Sequence, residues 1–329
     1  ADAPTTGGVW ISVVSAADLR VAVEGATVGF AGPRVVEAVT GVRPVEGSHT
    51  ATSAHRAGLV DEVLSPGDVC AWLDRALAAL APGTAGAVEP RTGTAPSDGG
   101  WTQVERARGR SVGGVALLGT LLDGEVRLRA ARGDATVAAA VGRIAGLPVV
   151  GVALAAEVGS KPSPDGYRLA ARAYRLAGRL GLPVLSLVDT PGADPGTESE
   201  EGGIAPAMGE ALDALLTCPS PTVALVHGEG GSGGALAASA ADLLLVTADS
   251  YFAAIGPEGA SAALRRSPQE CADLMGITPA DLLALGAADA LLDEPGDVAA
   301  HLARLCSRPA ADRLTDRRRR WSNPLPGTL

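Results

Sequence analysis

The chain has 329 residues, 27 Lys+Arg against 37 Asp+Glu, and a formal net charge of −10. A hydrophobic fraction of 47% with 19% charged residues excludes a disordered chain and is enough for one large or two medium packed domains. Net acidity and only 3% aromatic residues argue against nucleic-acid binding by bulk charge or by base stacking.

No segment reads as a membrane span. The longest uncharged apolar run near the middle lies between Arg143 and Glu157 and contains Pro148, short of the about 20 residues a span requires. The first residues, ADAPTTGGV, lack a basic start and an apolar stretch, so no signal peptide is read there. The four cysteines, Cys70, Cys218, Cys271 and Cys306, form no CxxC pair. No metal is expected on this chain, and a reduced cytoplasmic setting is. Lys161 is the only lysine, an arginine-for-lysine bias that carries no functional weight.

In chain order, GGVWISVVSAADLRVAVEGATVGFAGP (7–33) comes first, followed by GLVDEVL (58–64). Residues 82–100, PGTAGAVEPRTGTAPSDGG, have almost no large apolar side chain and read as an exposed linker. Leu169, Ala173, Leu176 and Leu180 then fall at helical spacing, and Gly181 stands where a stop is expected. LPVLSLVD (182–189) reads as a buried strand, 204–216 as a helix and TVALVH (222–227) as another strand. A glycine turn and a short helix follow. Strand–helix alternation of this kind predicts a parallel sheet covered by helices. The arginines from Arg313 to Arg320 and the residues up to 329 read as a basic, fraying tail. The expected division is 1–81, a linker at 82–109, 110–312, and the tail 313–329.

An internal repeat organises the rest. The first segment resembles GGALAASAADLLLVTADSYFAAIGP (233–257). Both contain SAAD, ending at Asp18 and Asp242, and both reach a Gly-Pro pair, at Pro33 and Pro257, so the copies lie 224 residues apart. AADALLD (287–293) echoes GLVDEVL. About 120 residues of α/β pattern precede the second copy and six precede the first Gly-Gly. Bare sheet edges and helix faces would result, so the missing half-unit is expected from another polypeptide or to have been removed.

The richest chemistry is in HGEGGSGGA (227–235), between a strand and a helix. Glycines there allow positive φ and close approach of a ligand, and free N–H groups at the helix start can hold a phosphate or an oxyanion. Gly228, Gly230 and Gly233 match a dinucleotide-binding pattern, with Asp249 following. The next strand arrives too soon for that fold, and the repeat copy lacks the pattern. Gly230-x-Ser232-x-Gly234 matches a nucleophile elbow, but its downstream histidine could only be His301. Asp189-Thr-Pro-Gly192 resembles a GTPase switch, yet Lys161 has no phosphate loop before it. The paired turns Gly7-Gly8 and Gly233-Gly234 remain, one per half, as candidate oxyanion holes facing one chamber. No acid–base dyad accompanies them among His49, His55, His227 and His301. Glu200, Glu201, Glu229 and Glu258 read as structural carboxylates bonded to backbone N–H groups.

VDTPGADPGTESEEGG (188–203), HGEGGSGGALA (227–237), IGPEGASAAL (255–264) and PDGYRLAARAYRLAGRLGLPVL (164–185) resemble the α subunit of bacterial acetyl-CoA carboxylase carboxyltransferase. PTTGGV (4–9) and GFAGPRVVEAV (29–39), up to AGLVDEV, resemble its β subunit. The chain thus resembles a β–α fusion that begins partway through the β half.

The resemblance implies a crotonase-like α/β fold of two pseudo-equivalent halves, the first incomplete. It implies transfer of a carboxyl group from biotin on a carrier protein to the α-carbon of a coenzyme A thioester. The α-half hole (Gly233, Gly234) would hold the biotin enolate and the β-half hole (Gly7, Gly8) the thioester enolate. Binding residues would be Thr5, Thr6, Phe30, Ala31 and Gly32, and on the other side Gly230, Gly231, Ser232, Ala235, Gly256, Pro257 and Glu258. The carrier protein, acyl-CoA and an oligomeric assembly are the implied partners. The β subunit's zinc ribbon is not found here, ALAAEVGSKP (153–162) replaces a basic segment, and His227 stands where the family has an aliphatic residue. A malonyl-thioester decarboxylase or carboxyltransferase on a carrier protein, and a non-catalytic scaffold, are the alternative readings.

Overall fold

The computed structural model describes residues 1, 4–86, 89–154 and 157–322. The first copy contains four short strands, β1 (Thr5–Thr6), β2 (Val21–Val23), β3 (Val28–Gly29) and β4 (Glu62–Leu64). The remainder contains β5 (Asp123–Leu128), β6 (Val137–Ile144), β7 (Leu147–Leu154), β8 (Val184–Thr190), β9 (Thr222–Gly231), β10 (Leu243–Thr247), β11 (Tyr251–Ala253) and β12 (Ala290–Leu292).

The main sheet runs β12-β10-β9-β8-β7-β6-β5, and β11 pairs with the far end of β9. It is parallel from β12 to β7 and antiparallel at β6 and β5. Both faces are covered. Val184, Val188, Ala224 and Val226 face a core built on the helices Pro164–Leu180 and Ile204–Leu216. Leu185, Leu187, Val223 and Leu225 face a second core with Leu118, Val298 and Leu302. Two-residue alternation between two buried faces explains why these strands read as continuous apolar runs.

Local sequence accounts for the long helix. Ser163 Oγ accepts from Gly166 N–H, Pro164 sits in the first turn, and Gly181 ends the helix at φ 69°. Ala170, Ala171, Ala173 and Ala177 are fully buried along it and let it lie close on the sheet.

The two copies have the same local architecture. Val21 pairs with Glu62 as Leu245 pairs with Ala290. Each copy carries an eight-residue helix starting at proline after a glycine cap, Pro33–Thr40 and Pro257–Leu264. Asp61 accepts from Arg20 N–H at 2.9 Å, and Asp289 from Leu244 N–H at 2.7 Å. The first copy has a small core of its own, around Trp10, Ala22, Val28 and Ala51. It is joined to the helix Pro164–Leu180 by Arg172–Asp61 at 2.7 Å and by Arg179–Asp18.

Two expectations are corrected. Within 82–109, residues Gly100–Arg108 form a helix with Gln103, Val104 and Ala107 buried. Gln103 Nε2 donates to the carbonyls of Ala248 and Ser250 at 2.7 and 2.8 Å. Its polar surface makes it look like linker, but it is tied to β11. The basic tail is a helix, Ala310–Ser322, through its described part. Arg317 is 1% exposed and donates to Asp242 at 2.8 and 2.7 Å. Residues 323–329 lie outside the described residues.

Candidate functional site

The site is built on the end of β9. Val188 on β8 pairs with Val226 and Thr190 with Gly230, so β9 uses four residues where β8 uses two. His227, Gly228 and Glu229 fill this bulge, and the turn Ser232–Leu236 follows. Bulges of this kind re-aim the chain beside functional sites.

The glycines of the run serve different ends. A Cβ on Gly228 would lie 1.9 Å from Arg110, on Gly230 2.5 Å from Phe252, on Gly231 2.1 Å from the Pro191 carbonyl and on Gly234 2.4 Å from Ala193 N. Their space is taken by protein. Only Gly233 in this run has no neighbour within 4 Å of that position, and Gly7 and Gly8 are open in the same way.

The equivalence of the two turns shifts by one residue from the sequence reading. Thr6 pairs with Gly29, and Gly231 with Ala253. The next residues, Gly7 and Ser232, both have left-handed backbone, at φ 60° and 59°. Gly8 therefore corresponds to Gly233, an offset of 225. The extra residue lies in the π turn Trp10–Val14, after which the offset is 224. A π turn inserts one residue into a helical path, which reconciles the two registers.

Two arginines flank the bulge. Arg108 Nε donates to Glu229 Oε2 at 2.9 Å and its Nη1 to Glu258 Oε1 at 2.7 Å. Tyr251 OH donates to Glu229 Oε2 at 2.8 Å. Glu229 is thus bound by side chains, while Glu258 combines Arg108 with the backbone bond expected of it. Glu200 and Glu201 are exposed. The Glu258 hydrogen bond holds the Arg108 guanidinium above its usual range, and Arg108 lowers Glu258 in turn.

Arg110 Nη2 lies 2.5 Å from His227 Nδ1 and 3.5 Å from Asp189 Oδ2. Glu229 N–H donates to Asp189 Oδ1 at 3.0 Å. An arginine only donates, so the imidazole nitrogen that meets Arg110 accepts and the ring is neutral. Burial, then Arg110, pushes the imidazole down to about 3. Burial raises Asp189 against the pull of Arg110 and lowers Arg110 itself. Asp189 Oδ2 and Arg110 Nη1 have no hydrogen-bond partner.

A cavity of about 380 Å³ opens beside the second turn. Ser232 and Gly233 form one side, Leu236, Phe252 and Leu285 are among its apolar lining, and Arg320 and Trp321 come from the C-terminal helix. No residue of the first copy lines it, so the single chain does not bring the two turns into this cavity. His301 does not line it either, which removes the partner Ser232 would need as a nucleophile.

The other expected site residues divide. Ala235 is fully buried. Gly256 caps the helix of Pro257 and Glu258, as Gly32 after Ala31 caps the helix starting at Pro33. Gly7 N–H donates to the Phe30 carbonyl at 3.0 Å, while the Phe30 side chain is exposed. Thr5 is buried in β1 beside Thr6. No group of three or more His, Cys, Asp or Glu among the described residues is placed to hold a metal ion.

The family model described as acetyl co-enzyme A carboxylase carboxyltransferase-like matches residues 129–319. The chain belongs to this family. The carboxyltransferase likeness extends beyond the matched region. The "Acetyl-coenzyme A carboxylase carboxyl transferase subunits beta/alpha" of Salinispora arenicola is 38% identical over 97% of this chain and 64% of its own length. The "Probable biotin-dependent acyl-coenzyme A carboxylase beta3 subunit" of Mycobacterium bovis is 34% identical over 97% of this chain and 69% of its own. The chain thus spans roughly two thirds of these relatives. A transcarboxylase 12S structure with hydrolyzed methylmalonyl-coenzyme A bound superposes with a TM-score of 0.73 at 23% identity, over 92% of this chain and 62% of that one. The fold is crotonase-like, as the resemblance implied.

Sequence reasoning missed Arg108, Arg110 and Trp321 in this carboxyltransferase-family chain. Arg108 and Arg110 reach partners over 100 residues away, and nothing in their local pattern marks them. The nearest signal was Gly228, a glycine the chain needs because Arg110 lies against it.

Proposed function

We propose that this chain is the carboxyltransferase of a biotin-dependent acyl-CoA carboxylase, acting through two backbone cradles of common origin. The observation that supports this most directly is the match between Gly8 and Gly233. Both are open on their Cβ side, and both follow a left-handed residue at a strand-to-helix turn. N–H groups in the first helical turn have no partner within the helix. Such groups stabilise charge developing on an oxygen better than they stabilise the ground state.

The second turn suits a biotin head: Ser232 and Gly233 border a cavity of about 380 Å³ with a largely apolar lining. When bound there, carboxybiotin supplies the carboxyl group and then a base for the acyl α-proton. Gly233 N–H would hold the biotin carbonyl oxygen, with Ser232 setting the turn. Gly8 N–H would hold the thioester oxygen of an acyl-CoA. The protein's own residues position and stabilise, and the absence of a side-chain dyad is accounted for.

The two turns meet in one chamber only if a further chain is added. The first copy leaves Val9, Ile11, Val13, Phe30, Val35 and Val39 exposed, an apolar display typical of an interface. A biotin carrier protein, a chain completing the first half and an oligomer are the proposed partners. No helix of the described residues is long and apolar enough to cross a membrane, and a cytoplasmic location is proposed.

The test uses the assembled complex with [14C]malonyl-CoA and free biotin. Label transfer from malonyl-CoA supports the reading. Its absence, with acyl-CoA still bound, refutes it.

A further inference from the structure

Three observations converge beneath the second turn. The first is the bulge itself, which gives β9 two residues more than β8 between Val226 and Gly230. Pairing with β8 is interrupted there, and of the three bulge residues Glu229 pairs on the other side, with Tyr251 of β11. The second is that their polar groups are held by side chains. Glu229 N–H is taken by Asp189, and the His227 ring by Arg110. The third is the close approach of Arg110 to Gly228, where a Cβ would be 1.9 Å from Nη1. Arg110 Nη2 also donates to the Val112 carbonyl at 2.5 Å, which anchors the guanidinium to its own segment.

We propose that Arg110 is a positioning residue for the second cradle, holding the His227–Glu229 bulge through His227 and Asp189 and so fixing where Gly233 presents its N–H. This deepens the carboxyltransferase reading and rests on it for its effect on activity, but its structural effect stands alone. Arg110 is largely buried, with 13% of its side chain exposed, beside Asp189, which is fully buried. The charged and titratable groups acting on it are Asp189 from β8, His227 from β9 and Asp249 from the loop before β11. His227 accepts from Arg110 only while neutral. The ring and the guanidinium therefore form a matched pair, placed where the family resemblance expects an aliphatic side chain.

Arg110 does not touch the open side of Gly233. Loss of Arg110 should loosen the bulge and the turn, not the sheet. The variant Arg110→Met removes the donors and the charge. Arg110→Lys keeps a cation beside Asp189 and is the variant expected to fold even if the first does not.

The primary readout is amide hydrogen exchange over 227–236, compared with β7 as an internal reference. Arg110→Met is expected to speed exchange over 227–236 at least tenfold with β7 unchanged, and Arg110→Lys to speed it less than threefold. In the transfer assay, Arg110→Met should raise the KM for biotin at least fivefold and leave the KM for malonyl-CoA within twofold. A purely structural loss would reduce the amount of active protein and move neither KM. Wild-type exchange over 227–236 in Arg110→Met overturns the proposal whatever the activity. So does equal acceleration over β7. If that variant does not fold, Arg110→Lys with exchange as fast over β7 as over 227–236 also overturns it. Lack of transfer by the wild type, with the exchange pattern as expected, refutes the carboxyltransferase reading and leaves the positioning role standing.

Discussion

Replacing Arg317 by methionine tests the largest difference between the sequence reading and the structure. Arg317 has no exposed side-chain surface, and its partner Asp242 has 4%. The guanidinium donates to Asp242 at 2.8 and 2.7 Å and to the carbonyls of Leu215, Cys218 and Ser220 at 2.9, 2.7 and 3.1 Å. Methionine fills much of the volume but leaves a buried carboxylate and four carbonyls, that of Leu216 at 3.3 Å included, without this donor. Breaking a buried pair from one side costs about 3–5 kcal/mol. Undocking of the C-terminal helix would return Asp242 to water, so the lower end, about 3 kcal/mol, is expected. Urea unfolding at neutral pH measures it. Exposed Arg318 is the control: Arg318→Met should leave the midpoint unchanged. Asp242→Asn in the Arg317→Met background should cost much less than the sum of the two single changes, with a coupling above about 1.5 kcal/mol. A loss below about 1 kcal/mol for Arg317→Met, equal to that of the control, would mean that the helix is a solvated tail after all.

Other changes test the turns and the buried histidine. Gly7→Ala should destabilise by about 1 kcal/mol, and Ser232→Gly should stabilise by about 0.5–1 kcal/mol, because both positions are left-handed; the same sign for both would refute their equivalence. Gly231→Ala should cost about 1–3 kcal/mol by driving its Cβ into the Pro191 carbonyl. Gly233→Ala should leave the urea midpoint unchanged while carboxyl transfer falls at least tenfold, and full activity would remove Gly233 from the site. His227 is depressed in the folded protein to about 3, so the unfolded chain binds the extra proton below its ordinary value near 6.5. Its contribution is complete above that pH and is lost on acidification, at about 1.4 kcal/mol per pH unit between 6 and 4. Raised Asp189 acts with the opposite sign, so the comparison is with His227→Leu. The stability difference between the two proteins should shrink at that slope in urea titrations, and parallel curves would refute a neutral buried ring.

Much of the second half was legible from sequence because its signals are local. The helix Pro164–Leu180 carries its own cap, period and stop, and β8 and the first half of β9 are mostly apolar. The repeat was legible through SAAD, but its register upstream was not. A π turn leaves no mark in composition, and matching the Gly-Gly pairs by residue type sets Gly7 against Gly233, one residue off the register of the turns. The helix Gly100–Arg108 was missed because its buried polar residue, Gln103, is satisfied by carbonyls near residue 250. The C-terminal segment reads as a solvated helix end, and its docking was missed for the same reason. A run of arginines is read as solvated unless its carboxylate partners are known, and Asp242 and Asp289 are 75 and 31 residues away from Arg317 and Arg320.

Those partners expose a second level of symmetry. In each copy one aspartate sits at the end of SAAD and another just before the last strand, and each takes an arginine from a helix outside the copy's own core. Asp18 and Asp61 take Arg179 and Arg172 from the helix Pro164–Leu180. Asp242 and Asp289 take Arg317 and Arg320 from the C-terminal helix. The second aspartate of each pair also accepts from a backbone N–H, that of Arg20 just before β2 or of Leu244 in β10. The arginine helix, the aspartate and the strand thus form one hydrogen-bonded unit in each copy. Each strand follows its glycine turn by about a dozen residues, so the unit braces the turn from behind. The helix that braces the first turn also packs on the sheet that carries the second. No sheet is shared between the first turn and the second half; the two ion pairs act there beside the Arg129 N–H bond to Asp61 at 2.9 Å, the Arg129 Nε bond to the His55 carbonyl at 3.0 Å and the burial of Leu64 in the larger core, so their loss should loosen the first copy before the main sheet unfolds.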